Sequence, residues 1–303
     1  SFIAFARCLR QPGSSKANHY EIYQRIGDER QFIQEAAIDE MTGLISHFKF
    51  VSGMNVGEKR RSQLGSCDYL FADDEEISLR LSTVGDYRGH ESLVIRLLYS
   101  GRHDLQYWFD GARNILEAID SRGLYLFSGP VGSGKTTLMY QLVREKFPDK
   151  QVITIEDPVE IKQENMLQLQ LNDEIGMTYD NLIKLSLRHR PDILIIGEIR
   201  DSETARAVIR ASLTGVLVFS TIHAKSIPGV YARLLELGVS RQELENSLRA
   251  IIYQRLIGGG GVVDFAKGDF EHYPPKRWNE QIESLARDGH ISGEQAKIEK
   301  IAF

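Results

Sequence analysis

The stretch that decides the fold of this chain is Leu124-Tyr125-Leu126-Phe127-Ser128-Gly129-Pro130-Val131-Gly132-Ser133-Gly134-Lys135-Thr136-Thr137. Its apolar beginning predicts a buried strand, and residues 129–136 fit the phosphate-loop pattern G-x-x-x-x-G-K-S/T. In such a loop the glycines let backbone N–H groups close around a β-phosphate, the lysine brings positive charge to the β and γ oxygens, and the following hydroxyl ligates Mg²⁺. We therefore expect residues 129–137 to bind a nucleoside triphosphate, with Lys135 on the phosphates and Thr136 on the metal ion.

A glycine-rich turn can match this pattern by chance. Here an apolar strand precedes the loop, and the stretch from Thr137 to Val143 predicts a helix whose positive N-terminal end faces the phosphates. Strand, loop and helix thus occur in the required order, which favours a nucleotide site over a chance match.

Composition limits the class of protein. The chain has 303 residues, of which 42% are apolar, and this length predicts two domains. Its net charge of -5 is not the signature of a nucleic-acid-binding protein, although a local basic patch stays open. Cys8 and Cys67 are isolated, which favours a cytoplasmic protein and argues against a disulfide scaffold or a cysteine-rich zinc module. No apolar run approaches a membrane span, so we expect membrane association only through partners.

The first part of the chain, residues 1–103, predicts an α+β domain. Apolar and polar residues alternate in His19–Ile26, Glu76–Leu81 and Ser92–Leu97, as in strands with one solvated face. Between them, apolar residues keep helical spacing from Met41 to Val51. Turn-forming and charged residues at Ser100–Asp104 predict the linker.

The second part, residues 104–303, has a different pattern. Continuous apolar strands at 124–127, 152–155, 193–196 and 216–220 alternate with helical stretches such as 204–213, which predicts a mostly parallel sheet covered on both faces. The phosphate loop would lie at the carboxyl edge of this sheet, where such folds bind ligands. Two further helices are expected at 278–287 and 292–301, joined to the sheet through the flexible or tight connection Gly258–Gly261.

Polar residues follow three of these strands and would meet at the same edge. Glu156 and Asp157 end the first, Gly197-Glu198 ends the second, and His223 ends the third. Many P-loop ATPases place an aspartate and a glutamate at the second strand, for Mg²⁺ and for the attacking water respectively. Because glycine replaces that aspartate here, we expect Mg²⁺ to use Thr136 with Glu156 or Asp157, and Glu198 to be the base.

Structural alternatives exist for each of these residues. Carboxylates at strand ends often cap helices or form ion pairs, and a single histidine is more often structural than functional. The residues nevertheless form one set at the edge that carries the phosphate loop, and this favours function, with His223 as a γ-phosphate sensor.

These motifs resemble the Walker A, Asp box, Walker B and His box of the secretion ATPases, the superfamily that powers type II secretion, type IV pili and competence machines. The matching segments are 129–137, 152–160, 190–201 and 215–223, in family order and spacing. Ser52–Arg60 and Ile252–Leu256 are similar to two further family segments, Gly-Met-x-x-x-Glu-Lys-Arg and Gln-Arg-Leu. The resemblance implies a RecA-like motor domain after the α+β domain and a homo-hexameric ring.

The resemblance also implies that arginines of the N-terminal domain reach the phosphates when the domains close. Arg80 and Arg96 occupy the matching segments of this chain. A guanidinium in that place neutralises charge on the γ-phosphoryl oxygens. The alternative for each is an ordinary surface arginine at strand spacing.

Many family members carry a tetracysteine zinc insert late in the motor domain, and this chain has no cysteine there, so no zinc is expected. The compact length and the sequence Gly197-Glu198-Ile199-Arg200-Asp201 most resemble the competence pseudopilus ATPase of Gram-positive bacteria, which supports DNA uptake. This implies a cytoplasmic Mg²⁺-dependent ATPase at the inner face of the cell membrane. It would act on an inner-membrane platform protein and, indirectly, on pilin-like subunits.

Other functions stay open at this point. Within the family they are a type II secretion ATPase and a pilus extension or retraction ATPase. A DNA-translocating ring ATPase would need a basic, aromatic-rich surface, which the sequence does not show, so direct sequence-specific nucleic-acid binding is not expected. A nucleotide-binding scaffold with little turnover would have no reason to keep Lys135, Thr136 and Glu198 together.

Overall fold

The computed structural model describes residues 2–9, 19–26, 29–70, 76–98, 105–172 and 175–301. The chain divides into two compact units, Ser1–Arg102 and His103–Phe303. The expected linker at Ser100–Asp104 lies outside the described residues. Within those residues, no helix combines the length and the apolar composition needed to cross a membrane.

The described residues of the first unit form one six-stranded sheet and one helix. In chain order the elements are β1 (Phe2–Leu9), β2 (His19–Ile26), β3 (Glu29–Ala37), α1 (Ile38–Val51), β4 (Gln63–Leu70), β5 (Glu76–Gly85) and β6 (Glu91–Leu98). The strand order is β3-β2-β1-β6-β5-β4, and all of these neighbours pair antiparallel. Met41 and Ile45 of α1 pack on Leu79, Leu81 and Leu93 of the sheet to form the core. The α+β prediction for this unit is confirmed.

A buried ion pair ties the helix of this unit to its sheet. Lys49, in the last turn of α1, is fully buried, and its Nζ donates hydrogen bonds to Glu91 Oε1 at 2.6 Å and to the Glu58 carbonyl oxygen at 2.6 Å. Glu91 begins β6, and its own carbonyl oxygen accepts a hydrogen bond from the Tyr20 hydroxyl at 2.8 Å. A buried charge is stable only while its partner remains, so this pair fixes α1, β6 and the loop at Glu58 together.

The described residues of the second unit contain a seven-stranded sheet. Its strands are β7 (Gly123–Ser128), β8 (Val152–Glu156), β9 (Leu167–Gln170), β10 (Ile193–Ile196), β11 (Leu217–Ile222), β12 (Leu248–Ile257) and β13 (Gly260–Ala266). The order is β13-β12-β7-β11-β10-β8-β9, and every neighbouring pair is parallel except β12 with β13. The helices are α2 (Gly111–Ala118), α3 (Lys135–Lys146), α4 (Tyr179–Arg188), α5 (Ser202–Leu213), α6 (Ile227–Glu236), α7 (Arg241–Ser247), α8 (Lys276–Arg287) and α9 (Gly293–Glu299).

Alternate residues of the parallel strands enter two different cores. In β7, Leu124 and Leu126 belong to the core that includes residues of α4, α5, α6 and α8, whereas Tyr125 and Phe127 belong to the core that includes residues of α2 and α3. Both faces of the sheet are therefore buried, which explains the unbroken apolar runs in the sequence. The prediction of a mostly parallel sheet covered on both faces is confirmed.

The glycine run before the C-terminal helices differs in detail from the expected connection. Gly258 and Gly259 make the turn with φ values of +60° and +86°, but Gly260 and Gly261 already pair in β13. A Cβ atom at Gly260 would lie 2.7 Å from the Trp108 ring nitrogen, and one at Gly261 would lie 2.6 Å from the Tyr107 ring. Two aromatic rings lie directly over these residues, so the strand needs glycine there.

Replacement of Lys49 by Met tests the buried ion pair. Because Glu91 would be left buried and uncompensated, we expect Lys49→Met to lower the free energy of unfolding by about 3–5 kcal/mol, measured by urea denaturation of the whole chain. Lys59→Met, at an exposed residue of the neighbouring loop, is the control. Equal stability of the two variants would show that the pair does not hold this unit together.

Candidate nucleotide-binding site

The phosphate loop connects the end of β7 to the start of α3. Its three glycines, Gly129, Gly132 and Gly134, have φ values of +144°, +78° and +81°, which side-chain-bearing residues rarely adopt. These values turn the chain from the strand into the helix, and α3 begins at Lys135. Thr136 and Thr137 are half-buried in its first turn. The motif therefore has the strand–loop–helix geometry that the sequence predicted.

A residue of β12 packs against the phosphate loop and supports it. Gln254 is 1% exposed, and its Nε2 donates a hydrogen bond to the Ser133 carbonyl oxygen at 2.6 Å. A Cβ atom at Gly129 would lie 2.0 Å from the Gln254 carbonyl oxygen, which is closer than any real contact. Gln254 belongs to the Gln-Arg-Leu segment, but the sequence did not single it out as a site residue. It supports the loop from 121 residues further along the chain.

Lys135 is folded back into the loop. Its Nζ donates hydrogen bonds to the carbonyl oxygens of Gly129 at 3.0 Å and Pro130 at 2.9 Å. Burial lowers the pKa of this lysine, while the negative charges of Glu198 and Glu160 act in the opposite direction. The ammonium group thus contacts two carbonyl oxygens, and an anion in the loop would be a stronger partner.

The strand ends bring four polar side chains into one chain of contacts beside the loop. His223 Nδ1 lies 3.1 Å from the Gly129 carbonyl oxygen, and its Nε2 lies 3.2 Å from Glu198 Oε1. Arg200 then joins two carboxylates, with its Nε 2.8 Å from Glu198 Oε2 and its Nη1 3.1 Å from Asp157 Oδ2. Both neighbours of the imidazole are acceptors, so only the doubly protonated ring donates to both.

Three residues predicted for the site, Asp157, Glu198 and His223, thus lie together at the carboxyl edge of the sheet. Arg200 is a member of the same cluster that the sequence did not assign to the site. Its position two residues after Glu198 was the available signal, since both side chains leave the same strand end.

Glu156 has a different environment from Asp157. It is 5% exposed, and its Oε1 accepts hydrogen bonds from the Tyr140 hydroxyl at 2.7 Å, the Thr154 hydroxyl at 2.7 Å and Gln168 Nε2 at 3.1 Å. Burial raises the pKa of this carboxyl. The side chain thereby connects β8 with α3 and β9. Its assignment as a magnesium ligand stays a prediction, and such a bond would have to use Oε2.

The two arginines of the first unit lie side by side. Arg80 of β5 is directly opposite Arg96 of β6 in the antiparallel pairing, so their side chains leave the same face of the sheet. The neighbours of Arg80 along the strand, Leu79 and Leu81, point into the core. Both arginines thus lie on the face that is turned away from α1. Their contact with phosphates stays a prediction.

Gly129→Ala tests the close approach of Gln254 to the loop. The new methyl group cannot fit without moving the backbone, so we expect at least about tenfold weaker binding of a fluorescent ATP analogue, equivalent to about 1.4 kcal/mol. Gly176→Ala is the control, because Gly176 also has positive φ (+74°) but no atom within 4 Å of the added Cβ. Unchanged affinity in Gly129→Ala would contradict the role of the Gln254 contact.

Glu156→Gln tests whether burial raises the pKa of the Glu156 carboxyl. The amide oxygen can still accept the three hydrogen bonds. A carboxyl whose pKa is raised on folding contributes stability below its ordinary value of 4.5 and loses it as the pH rises through the folded pKa. At pH 7 the variant should therefore unfold at the same or a higher temperature than the parent, and any advantage should vanish below pH 4.5. A variant that is less stable than the parent at pH 7 would contradict the raised pKa of Glu156.

Comparison with known proteins agrees with this geometry. The family described as Type II/IV secretion system protein matches residues 14–263. Competence protein ComGA of Streptococcus pneumoniae (strain R6) is 65% identical over 288 residues, which cover 95% of this chain and 92% of that protein. Competence protein ComGA of Bacillus subtilis is 41% identical over 226 residues, covering 72% of this chain and 63% of that protein.

More distant proteins are also similar to this chain, in sequence or in fold. Type II secretion system protein E of Xanthomonas campestris is 38% identical over 71% of this chain and 39% of that protein. Among solved structures, the pilus retraction motor PilT with bound ADP has a TM-score of 0.73 at 22% identity, over 100% of this chain and 93% of that chain. The ATPase DotB of Legionella pneumophila has a TM-score of 0.70 at 19% identity, over 97% and 90%. The resemblance predicted from the four motifs is confirmed, and the chain belongs to the type II/IV secretion system protein family.

Proposed function

We propose that this chain is a Mg²⁺-dependent ATPase that drives assembly of a type IV pilus-like pseudopilus for competence. The observation that carries the proposal is the contact chain from the Gly129 carbonyl oxygen through His223 to Glu198, which joins the phosphate loop to the predicted base. The 65% identity to Competence protein ComGA over 92% of that protein supports the competence role over secretion or pilus retraction.

The chemistry follows from the positions of the side chains. Glu198 orients a water molecule and accepts its proton while the water oxygen bonds to the γ-phosphorus and the bond to the β–γ bridging oxygen breaks. Lys135 leaves its two carbonyl ligands for the phosphates. His223 contacts both the loop and Glu198, so a γ-phosphate that attracts the imidazole also changes the environment of the base.

The residues beside the loop fit a magnesium ion. The Thr136 hydroxyl lies in the first turn of α3, and the Asp157 carboxylate follows β8 at the same sheet edge, so these donors are the hard oxygens that Mg²⁺ prefers. When bound, the ion would neutralise charge on the β and γ oxygens. Glu156 is a further candidate ligand through Oε2.

The mechanical part of the proposal uses the first unit and a ring of six chains. The pairing of Arg80 with Arg96 places two guanidinium groups where one anion could meet both. Domain closure onto ATP and opening after phosphate release would then turn hydrolysis into rotation. We place the ring in the cytoplasm, at an inner-membrane platform protein that acts on pilin-like subunits.

Glu198→Gln tests the base assignment. The amide keeps the size of the side chain but cannot accept the proton, so we expect Mg²⁺-dependent ATP turnover to fall by at least about 100-fold, while ATP binding changes little. Turnover is measured together with light scattering, where we expect a hexamer with ATP. The control is Glu203→Gln, an exposed residue in the first turn of α5. Equal turnover in the variant and the parent would remove Glu198 from this role.

The competence role has its own readout. In a Streptococcus pneumoniae strain that lacks Competence protein ComGA, expression of this chain should restore DNA uptake, and Glu198→Gln should not. ATP turnover without restored uptake would favour a secretion or pilus motor instead. DNA-stimulated hydrolysis would indicate a DNA translocase, and ATP binding without turnover would indicate a scaffold.

A further inference from the structure

Tyr179 brings a hydroxyl group to the end of β10, where the sequence did not predict one. It is the first residue of α4, and the hydroxyl of its cap residue Thr178 accepts a hydrogen bond from the Asn181 N–H. The ring of Tyr179 packs against the core that contains α4, α5 and α6. The cap and the packing of the ring together fix the direction of the side chain.

The hydroxyl occupies the space beside Gly197. A Cβ atom at Gly197 would lie 3.1 Å from the Tyr179 hydroxyl oxygen and 3.2 Å from the Ile155 carbonyl oxygen. In many P-loop ATPases a carboxylate begins from this position of the strand and helps to hold Mg²⁺. Here the glycine has no side chain, and a phenol from another element ends in the same place.

Backbone hydrogen bonds hold the amides on both sides of Glu198. The Gly197 N–H donates to the Ile155 carbonyl oxygen at 2.8 Å, and the Ile199 N–H donates to the Thr221 carbonyl oxygen at 2.8 Å. The intervening Glu198 N–H interacts with the Tyr179 hydroxyl and lowers its pKa. Burial and the charge of Asp157 outweigh this effect and raise the pKa of Tyr179 to about 12, so the hydroxyl stays neutral at physiological pH.

We propose that Tyr179 is a positioning residue of the ATP site, whose hydroxyl takes the place of the missing carboxylate and holds the backbone of Glu198. The proposal rests on the proposed function, because Glu198 is the predicted base. The proposal also explains why residue 197 is a glycine, because a side chain there would displace the hydroxyl. The groups around Tyr179 are then Asp157, Glu198 and Arg200, the same cluster that reaches the loop through His223.

The first test is Tyr179→Phe, which keeps the ring and removes only the hydroxyl. We expect kcat for ATP to fall roughly tenfold with little change in KM, because the orientation of the base changes but not the phosphate loop. Tyr125→Phe is the matched control: Tyr125 is also buried, and its hydroxyl donates to the Ser121 carbonyl oxygen at 3.0 Å, at the opposite end of its strand. An unchanged kcat in Tyr179→Phe would overturn the proposal.

A second pair of variants asks whether a carboxylate can replace the hydroxyl. In the Tyr179→Phe background, Gly197→Asp should recover part of kcat, whereas Gly197→Ala, which adds only the Cβ atom, should not. In the parent background, Gly197→Asp should lower kcat, because the hydroxyl already occupies the space. If Gly197→Asp has the same effect as Gly197→Ala in both backgrounds, the hydroxyl does not stand in for a carboxylate.

A readout without ATP separates this proposal from the proposed function. Amide hydrogen exchange of the Glu198 segment, followed by mass spectrometry in nucleotide-free protein, should be several-fold faster in Tyr179→Phe and unchanged in Tyr125→Phe. If the parent does not hydrolyse ATP but this difference is found, the motor proposal fails and the positioning of Glu198 stands. If the parent hydrolyses ATP and exchange is equal in both variants, Tyr179 does not position Glu198.

Discussion

The carbonyl oxygen of Gly129 is the atom on which the candidate site depends. It accepts a hydrogen bond from Lys135 and contacts the imidazole of His223, so one peptide group of the loop restrains both the lysine predicted to bind phosphate and the residue next to the predicted base. Strand β12 restricts the position of Gly129, because the Gln254 carbonyl oxygen leaves no room for a side chain at Gly129. The geometry of the loop and the position of the predicted base therefore depend on the same peptide group.

The parallel sheet makes this convergence possible. Strands β7, β8, β10 and β11 run in the same direction, so the residues that follow each of them leave at one edge. The apolar residues within the strands fill two cores and carry no chemistry. Most of the residues predicted to be functional lie at or just after the ends of these strands, and the rest of the sheet serves to align those strand ends.

Much of the fold could be predicted from the sequence because its signals are local. The buried strands are short apolar runs, and the phosphate loop is a contiguous motif. Strand β3 gave no such signal, because as an edge strand it is exposed on both faces and has no alternation of apolar and polar residues. Strand β4 alternates in burial, but its half-buried residues include Gly65 and Cys67, which are not strongly apolar. The parts of the site that the sequence missed, Gln254 and Tyr179, reach it by tertiary packing from other elements, which no spacing within a motif can reveal.

The side chains of two adjacent residues of β12 point to opposite faces of the sheet. The ring of Tyr253 packs edge-on against the buried ring of Trp278 in α8, with centroids 5.0 Å apart, while the next residue, Gln254, holds the phosphate loop. Because side chains of a strand alternate between faces, the insertion or loss of one residue in β12 would place the amide in the aromatic core and the phenol under the loop. The contacts of β12 with the C-terminal helices and with the phosphate loop thus depend on the register of this one strand. A change in chain length is therefore compatible with this arrangement only outside β12.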